Sequence, residues 1–166
     1  ILKGLNDKQY EAVVNTEGPC LVIAGAGSGK TKVLTHKIAY LMKEKNILPW
    51  NILAITFTNK AAKEMKERIE LLVGDAAKDM WIGTFHSICV RILRQILKDL
   101  QLDEKLFSDR AVMSEISNAK NEMLEPDQYA VKAHGDFRKE KIAQVYERYQ
   151  NRLKENNAID FDDIIN

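Results

Sequence analysis

The stretch CLVIAGAGSGKTKVLTHKIAYLM, residues 20–42, leaves a chain few ways to fold. It opens on an unbroken apolar run, Cys20 to Ala24, whose β-branched members predict a strand buried on both faces of a parallel sheet. Glycines at 25, 27 and 29 follow at once. From Lys30 onward Val33, Leu34, Ile38, Leu41 and Met42 recur at helical spacing, with Lys43 and Lys45 well placed near the carboxyl end. Strand, glycine-rich turn and helix in direct succession gather backbone N–H groups and a helix amino end at one point, an arrangement that favours phosphate. A flexible loop that merely happens to contain glycines would lack that flanking context.

Within the loop, Ala24, Gly25, Ala26, Gly27, Ser28 and Gly29 supply the wrapping backbone. Lys30 would reach the β and γ phosphates of a nucleotide, and the Thr31 hydroxyl would coordinate Mg²⁺. ATP and Mg²⁺ are the expected cofactors, with Lys30 and Thr31 as the reactive pair. The usual pattern begins with glycine; Ala24 adds only a methyl group at the strand exit, which is tolerated unless the backbone there needs a positive φ. Hydrolysis also requires an apolar strand ending in a carboxylate that holds the Mg²⁺ from the other side. ILAITF ends in Thr58 and Asn59, MWI ends in Gly83 and Thr84, and Asp160, Asp162 and Asp163 follow NNAI rather than an apolar strand. Either the fold binds ATP without hydrolysing it, or that strand lies outside these residues.

The rest of the chain repeats the alternation. LNDKQYEAVVNT, residues 5–16, reads as a short helix capped by Asn6 or Asp7, with Tyr10, Val13 and Val14 on one face. Ile52 to Phe57 is a second apolar run, followed by a helix over 59–73 with Ala62, Met65, Ile69 and Leu72 on one stripe. A shorter third round places a strand at Met80 to Ile82, a cap at Thr84, and a helix lined by Ile88, Cys89, Ile92, Leu93 and Ile96. Three such rounds predict a parallel α/β sheet. After about Leu102 only helical spacing remains: Val112, Ile116 and Ala119 form one patch, and Phe137, Ile142, Val145, Tyr149 and Leu153 another, with breaks at Pro126, His134 and Gly135. This is the pattern of a helical insertion.

Composition narrows the class. With 45% hydrophobic and 30% charged residues the chain is ordinary for a globular protein, and the net charge of +1 neither demands nor forbids a polyanionic partner. No apolar run approaches a membrane span, and ILKGLNDKQY shows no secretion signal, so a cytoplasmic location without membrane partners is expected. Cys20 and Cys89 lie far apart in apolar runs, which fits reduced, buried thiols. His36, His86 and His134 have no Cys or His at metal-ligand spacing, so no zinc site is expected.

Taken in order, LNDKQYEAV, AGAGSGKTKVLTHKIAYL, PWNILAITFTNKAAKEMKERI, WIGTFHSICVRILR, ISNAKNEML and IDFDDII resemble the amino-terminal part of a superfamily 1 DNA helicase of the UvrD, Rep and PcrA kind. The resemblance covers nearly the whole chain, and members commonly carry alanine where Ala24 stands. It implies a RecA-like P-loop sheet with helices on both faces, interrupted by an all-helical insertion. The motor part would occupy residues 1–100, the insertion 101–157, and a return toward the motor 158–166, ending before the Walker B strand. The implied activity is ATP-driven 3′ to 5′ translocation on single-stranded DNA with unwinding at a duplex junction, and these residues alone are expected to lack robust ATPase activity.

By the same resemblance Gln9 would meet the adenine edge, where its amide offers one donor and one acceptor function. Lys37 stands where relatives carry arginine near the nucleotide. Phe57, Thr58 and Asn59 in ITFTN, and Thr84, Phe85 and His86 in GTFHS, would contact single-stranded DNA by stacking and phosphate bonding. Taken alone, Gln9 could be helix surface, Phe57 core, and His86 a capping or packing residue. Duplex contacts would fall within 101–156. Between VRILR and ILKDLQL the chain is shorter than the family pattern by about a helical hairpin. A small-molecule kinase with a helical lid, or a module that binds nucleotide without turnover, are the competing readings.

Overall fold

The computed structural model describes residues 1–156 and 158–165, and its packing falls into two units, Ile1–Thr84 and Phe85–Asn166. In the first unit α1 (Asp7–Val14) starts from a reciprocal cap. The Asn6 side chain accepts the Gln9 N–H at 2.9 Å, while the Gln9 side-chain oxygen accepts the Asn6 N–H at 3.2 Å. Val13 is the residue this helix buries completely. α2 (Lys30–Lys43) follows the glycine-rich loop and contributes Ile38 to the core.

β1 (Leu53–Thr56) and β2 (Trp81–Thr84) pair in parallel, in register from Leu53 opposite Trp81 to Thr56 opposite Thr84. The connection is α3 (Asn59–Val73), started by Thr58, whose hydroxyl accepts the Ala61 N–H at 3.1 Å. Met65 and Ile69 from its apolar stripe join Ile38, Ile52, Ala54, Ala77 and Met80 in one core. A parallel pair needs such a crossover, and an amphipathic helix covers the sheet face that it crosses.

The expected strand at Cys20 to Ala24 is not formed. Among the described residues the sheet has two strands, and they pair with each other. A strand buried on both faces also needs ladder partners for its N–H and C=O groups. Without them the run is not a strand, and Leu21 is 86% and Ile23 90% exposed. Cys20, expected to be buried, is exposed as part of this run, whereas Cys89 is buried as expected. What stands is a mixed α/β chain with a small parallel sheet and mostly helices.

The second unit is all helix: α4 (Phe85–Asp99), α5 (Asp109–Asn121), α6 (Pro126–Ala133), α7 (Phe137–Glu155) and α8 (Phe161–Ile165). Leu93, Ile96, Val112, Ile116, Ile142, Val145, Tyr149 and Leu153 fill its core. α4 packs against α5 and α7 and so belongs by packing to this second unit. Pro126 falls at the break between α5 and α6, as expected, and begins α6; at the first position its missing N–H is one the helix leaves unpaired anyway. Gly135, at φ 88°, does mark a break, and Phe137 is exposed at the head of α7. No helix among the described residues is long and apolar enough to cross a membrane.

One polar cluster is sealed into this unit. Lys120, 6% exposed at the end of α5, donates to Asp160 Oδ2 at 2.8 Å and Asp163 Oδ1 at 2.7 Å. Tyr149 donates to the same Asp160 oxygen at 3.0 Å. Asp160 and Asp163 also exchange backbone N–H to carboxylate bonds, which starts α8. Burial alone would raise the Asp163 carboxyl. The hydrogen bond from Lys120, the Asp160 backbone N–H and the lysine charge outweigh it and hold Asp163 below the usual carboxylate value.

Candidate functional site

Two glycines of the loop have backbones that an L side chain rarely adopts, Gly27 at φ 76° and Gly29 at φ 86°. Ala24 is not among the residues at positive φ, so alanine there carries no strain. The Ser28 hydroxyl donates to Gly25 O at 2.8 Å and closes the turn. The Lys30 ammonium donates to Gly25 O at 2.7 Å and Ala24 O at 3.1 Å, so its charge sits at the mouth of the loop against two neutral acceptors. Gly29 has no side chain with which to cap α2, so none of the first N–H groups of that helix is capped by the residue ahead of it. A phosphate would meet a cation, a helix amino end and a curved backbone together, and the residues present fit such a group. Thr31, the first residue after Lys30 on α2, could supply one oxygen to Mg²⁺.

Gln9 is held from both ends of its amide. The oxygen takes the Asn6 N–H, and Nε2 donates to Ser28 O at 2.9 Å. It therefore bridges α1 to the loop and does more than line a helix surface. The approach is close enough that a Cβ built on Gly29 would lie 2.7 Å from Gln9 Nε2. Lys37 bonds elsewhere: its ammonium donates to Asn15 O at 2.6 Å and Ala12 O at 3.3 Å, at the carboxyl end of α1. Lys32 is a residue that sequence reasoning passed over. It donates to Gly4 O at 2.6 Å, and a Cβ on Gly29 would lie 3.9 Å from its own Cβ, which puts it beside Gln9. Its place directly after Thr31 was the available signal.

The strand ends carry the other candidates. Because Thr56 is opposite Thr84 in a parallel pair, β1 and β2 deliver Phe57, Thr58, Asn59 and Thr84 to the carboxyl end of the sheet. Phe57 is 93% exposed and so is not core. Thr58 is spent on the α3 cap, while Asn59 is exposed at its first turn. Phe85 and His86 open the second unit. Phe85 meets the Phe161 ring edge-on at 5.6 Å, and exposed His86 lines an open groove of α4 and α5 with Val90, Arg94 and Arg110. Arg94 in that groove is paired with Asp109. The acidic trio is accounted for in part, since Asp160 and Asp163 are spent on Lys120. Among the described residues no three of His, Cys, Asp and Glu are grouped to hold a metal.

Residues 5–107 and 95–166 match the UvrD/REP helicase N-terminal domain. The chain belongs to this family. It is 50% identical to the ATP-dependent DNA helicase PcrA of Bacillus subtilis over 190 residues, covering 99% of the chain and 26% of that relative. It is 48% identical to the protein of the same name from Staphylococcus aureus strain NCTC 8325, again over 99% of the chain and 26% of the relative. For Leuconostoc citreum PcrA the identity is 47%, over 99% of the chain and 25% of the relative. The chain thus spans about a quarter of the length of these curated relatives.

A matched span of 190 residues against a chain of 166 means that the relatives carry about two dozen more. The two stretches matched to the family overlap at 95–107, the end of α4 and the approach to α5. α4 runs without interruption through Arg94 to Leu97.

Proposed function

We propose that this chain is the nucleotide-binding part of an ATP-dependent DNA helicase, with a RecA-like motor portion and an inserted helical portion, moving 3′ to 5′ on single-stranded DNA. The observation that carries the reading is the loop. Lys30 stands at the mouth of a backbone turned by Gly27 and Gly29, and a nucleotide phosphate would exchange neutral carbonyl partners for a charged one. Ala24 to Thr31 would cradle the phosphates, Thr31 would give an oxygen to Mg²⁺, and Gln9 would turn its amide to the adenine edge. Bound MgATP would supply the phosphoanhydride energy for movement along DNA. Phe57 and Phe85 would stack on bases, while Thr58, Asn59, Thr84 and His86 would meet phosphates and sugars.

These 166 residues bring no strand-end carboxylate toward Thr31 among those described, so their ATP turnover is expected to be negligible even when ATP and DNA are bound. Two titrations test the reading. A fluorescent ATP analogue should bind with Mg²⁺ and lose at least about tenfold in affinity in Lys30→Ala, as removal of a charge-assisted phosphate contact predicts. A labelled single-stranded oligonucleotide should bind at low ionic strength and dissociate as salt rises. Equal nucleotide affinity in wild type and Lys30→Ala, or no salt-sensitive DNA binding, refutes the corresponding half.

A further inference from the structure

α1 has eight residues, too few to hold a helix in water on its own helical propensity. It keeps its place by three attachments. Val13 is fully buried, Lys32 of α2 bonds Gly4 O ahead of the helix, and Lys37 of α2 bonds Ala12 O and Asn15 O at its end. The carbonyls of a last helical turn lack intrahelical partners, and an ammonium there satisfies them while opposing the negative end of the helix dipole. Gln9 rides on the same helix with its amide already oriented between Asn6 N–H and Ser28 O. From Gln9 to Asn15 is about 9 Å along a helix axis, so a cation bonded at Asn15 acts on the loop through α1.

We propose that Lys37 is a positioning residue for the nucleotide base: by clamping the carboxyl end of α1 onto α2, it holds Gln9 against the phosphate-binding loop. This rests on the reading above, in which the loop takes ATP and Gln9 meets adenine. Lys37 then contributes to recognition of the base and not to recognition of the phosphates, which belong to the loop and Lys30. An arginine at this position keeps the charge and offers several N–H donors, enough to meet both Ala12 O and Asn15 O.

The test compares ATP with inorganic tripolyphosphate, which lacks the base, by competition against a fluorescent nucleotide on the intact chain, together with hydrogen exchange of the α1 amides. Lys37→Met should weaken ATP about fivefold, the size of one net hydrogen bond. It should leave tripolyphosphate unchanged and speed exchange at Tyr10 to Asn15. Lys37→Arg should restore both properties, and Lys37→Met should add nothing in a Gln9→Ala background. Equal losses for ATP and tripolyphosphate would place Lys37 on the phosphates and overturn the proposal, as would unchanged α1 exchange. If the wild type holds ATP no tighter than tripolyphosphate, the adenine role of Gln9 fails and the positioning role falls with it. In that case faster α1 exchange in Lys37→Met would show that the clamp itself is real and that the fault lies in the reading of the base.

Discussion

Replacing Lys120 with methionine keeps the length of the side chain and removes its charge from between Asp160 and Asp163. The ammonium lies 2.8 and 2.7 Å from their oxygens, with 5% of the lysine side chain exposed and 6% and 19% of the two aspartates. Removing one partner from a buried ion cluster costs about 3–5 kcal/mol, because the remaining charges stay buried without compensation. Asp163 is partly wetted, which favours the lower end, about 3 kcal/mol. At a urea slope of about 2 kcal/mol/M that moves the unfolding midpoint down by about 1.5 M.

The pH dependence follows from the direction of the shift. In the wild type the Asp163 carboxyl is held below its ordinary value, so its contribution is fully present above the unfolded pKa near 4 and is lost as pH falls through the folded pKa. In the variant Asp163 loses the lysine hydrogen bond and charge that lower its carboxyl while its burial remains, so it takes up a proton more readily and acidification relieves it. The gap between the proteins should be widest at neutral pH and should narrow below about pH 5. Urea titrations at pH 7 and pH 4.5 measure it, and the labelling rate of buried Cys89 gives a probe local to this unit. A midpoint shift that is equal at both pH values, or below about 0.25 M (about 0.5 kcal/mol) at pH 7, would refute the assignment of the cluster's stabilisation to charge.

Phe57→Ala should weaken single-strand binding by about 1–3 kcal/mol while changing stability by less than about 0.5 kcal/mol, because the ring is 93% exposed; oligonucleotide titration and thermal melting separate the two. Thr58→Ala should lower stability by about 1 kcal/mol through loss of the α3 cap, and Thr58→Ser should restore it in the same melting assay. Gly29→Ala should weaken ATP binding and lower stability by about 1–2 kcal/mol, since it forces a Cβ onto a φ of 86° and to within 2.7 Å of Gln9 Nε2. With a thiol reagent Cys20 should react at once and Cys89 only on unfolding, where burial also raises its thiol pKa; simultaneous labelling would contradict the packing of α4.

What the sequence made legible is what depends on residues close together in the chain. Asn6, one of the two caps expected for α1, accepts the Gln9 N–H three residues onward; Thr58, Ser108 and Asp136 do the same at the starts of α3, α5 and α7, a local signal that the sequence reading did not use. The glycine-rich loop was readable for the same reason, and the absence of positive φ at Ala24 answers the one irregularity in its pattern. Pro126 belongs with them, since it falls between α5 and α6, where the sequence places a break. Proline ends a helix from the inside but suits the first position, and which applies depends on where α6 begins.

The rest was hidden because it depends on partners far along the chain. Cys20 to Ala24 has the composition of a buried strand, yet burial comes from neighbours on either side, and no property of five residues can supply them. α4 follows the third strand in sequence as though it belonged to the sheet, but Leu93 and Ile96 are buried with Ile142 and Val145 some fifty residues later. Lys37 makes the point most sharply. Its position in the motif suggested the nucleotide, whereas its ammonium reaches carbonyls 22 and 25 residues back, at the end of a helix whose other end carries Gln9. A residue that acts at a distance through a short helix leaves the same trace in a sequence as one that touches the ligand. Only a measurement that splits base from phosphate tells the two apart.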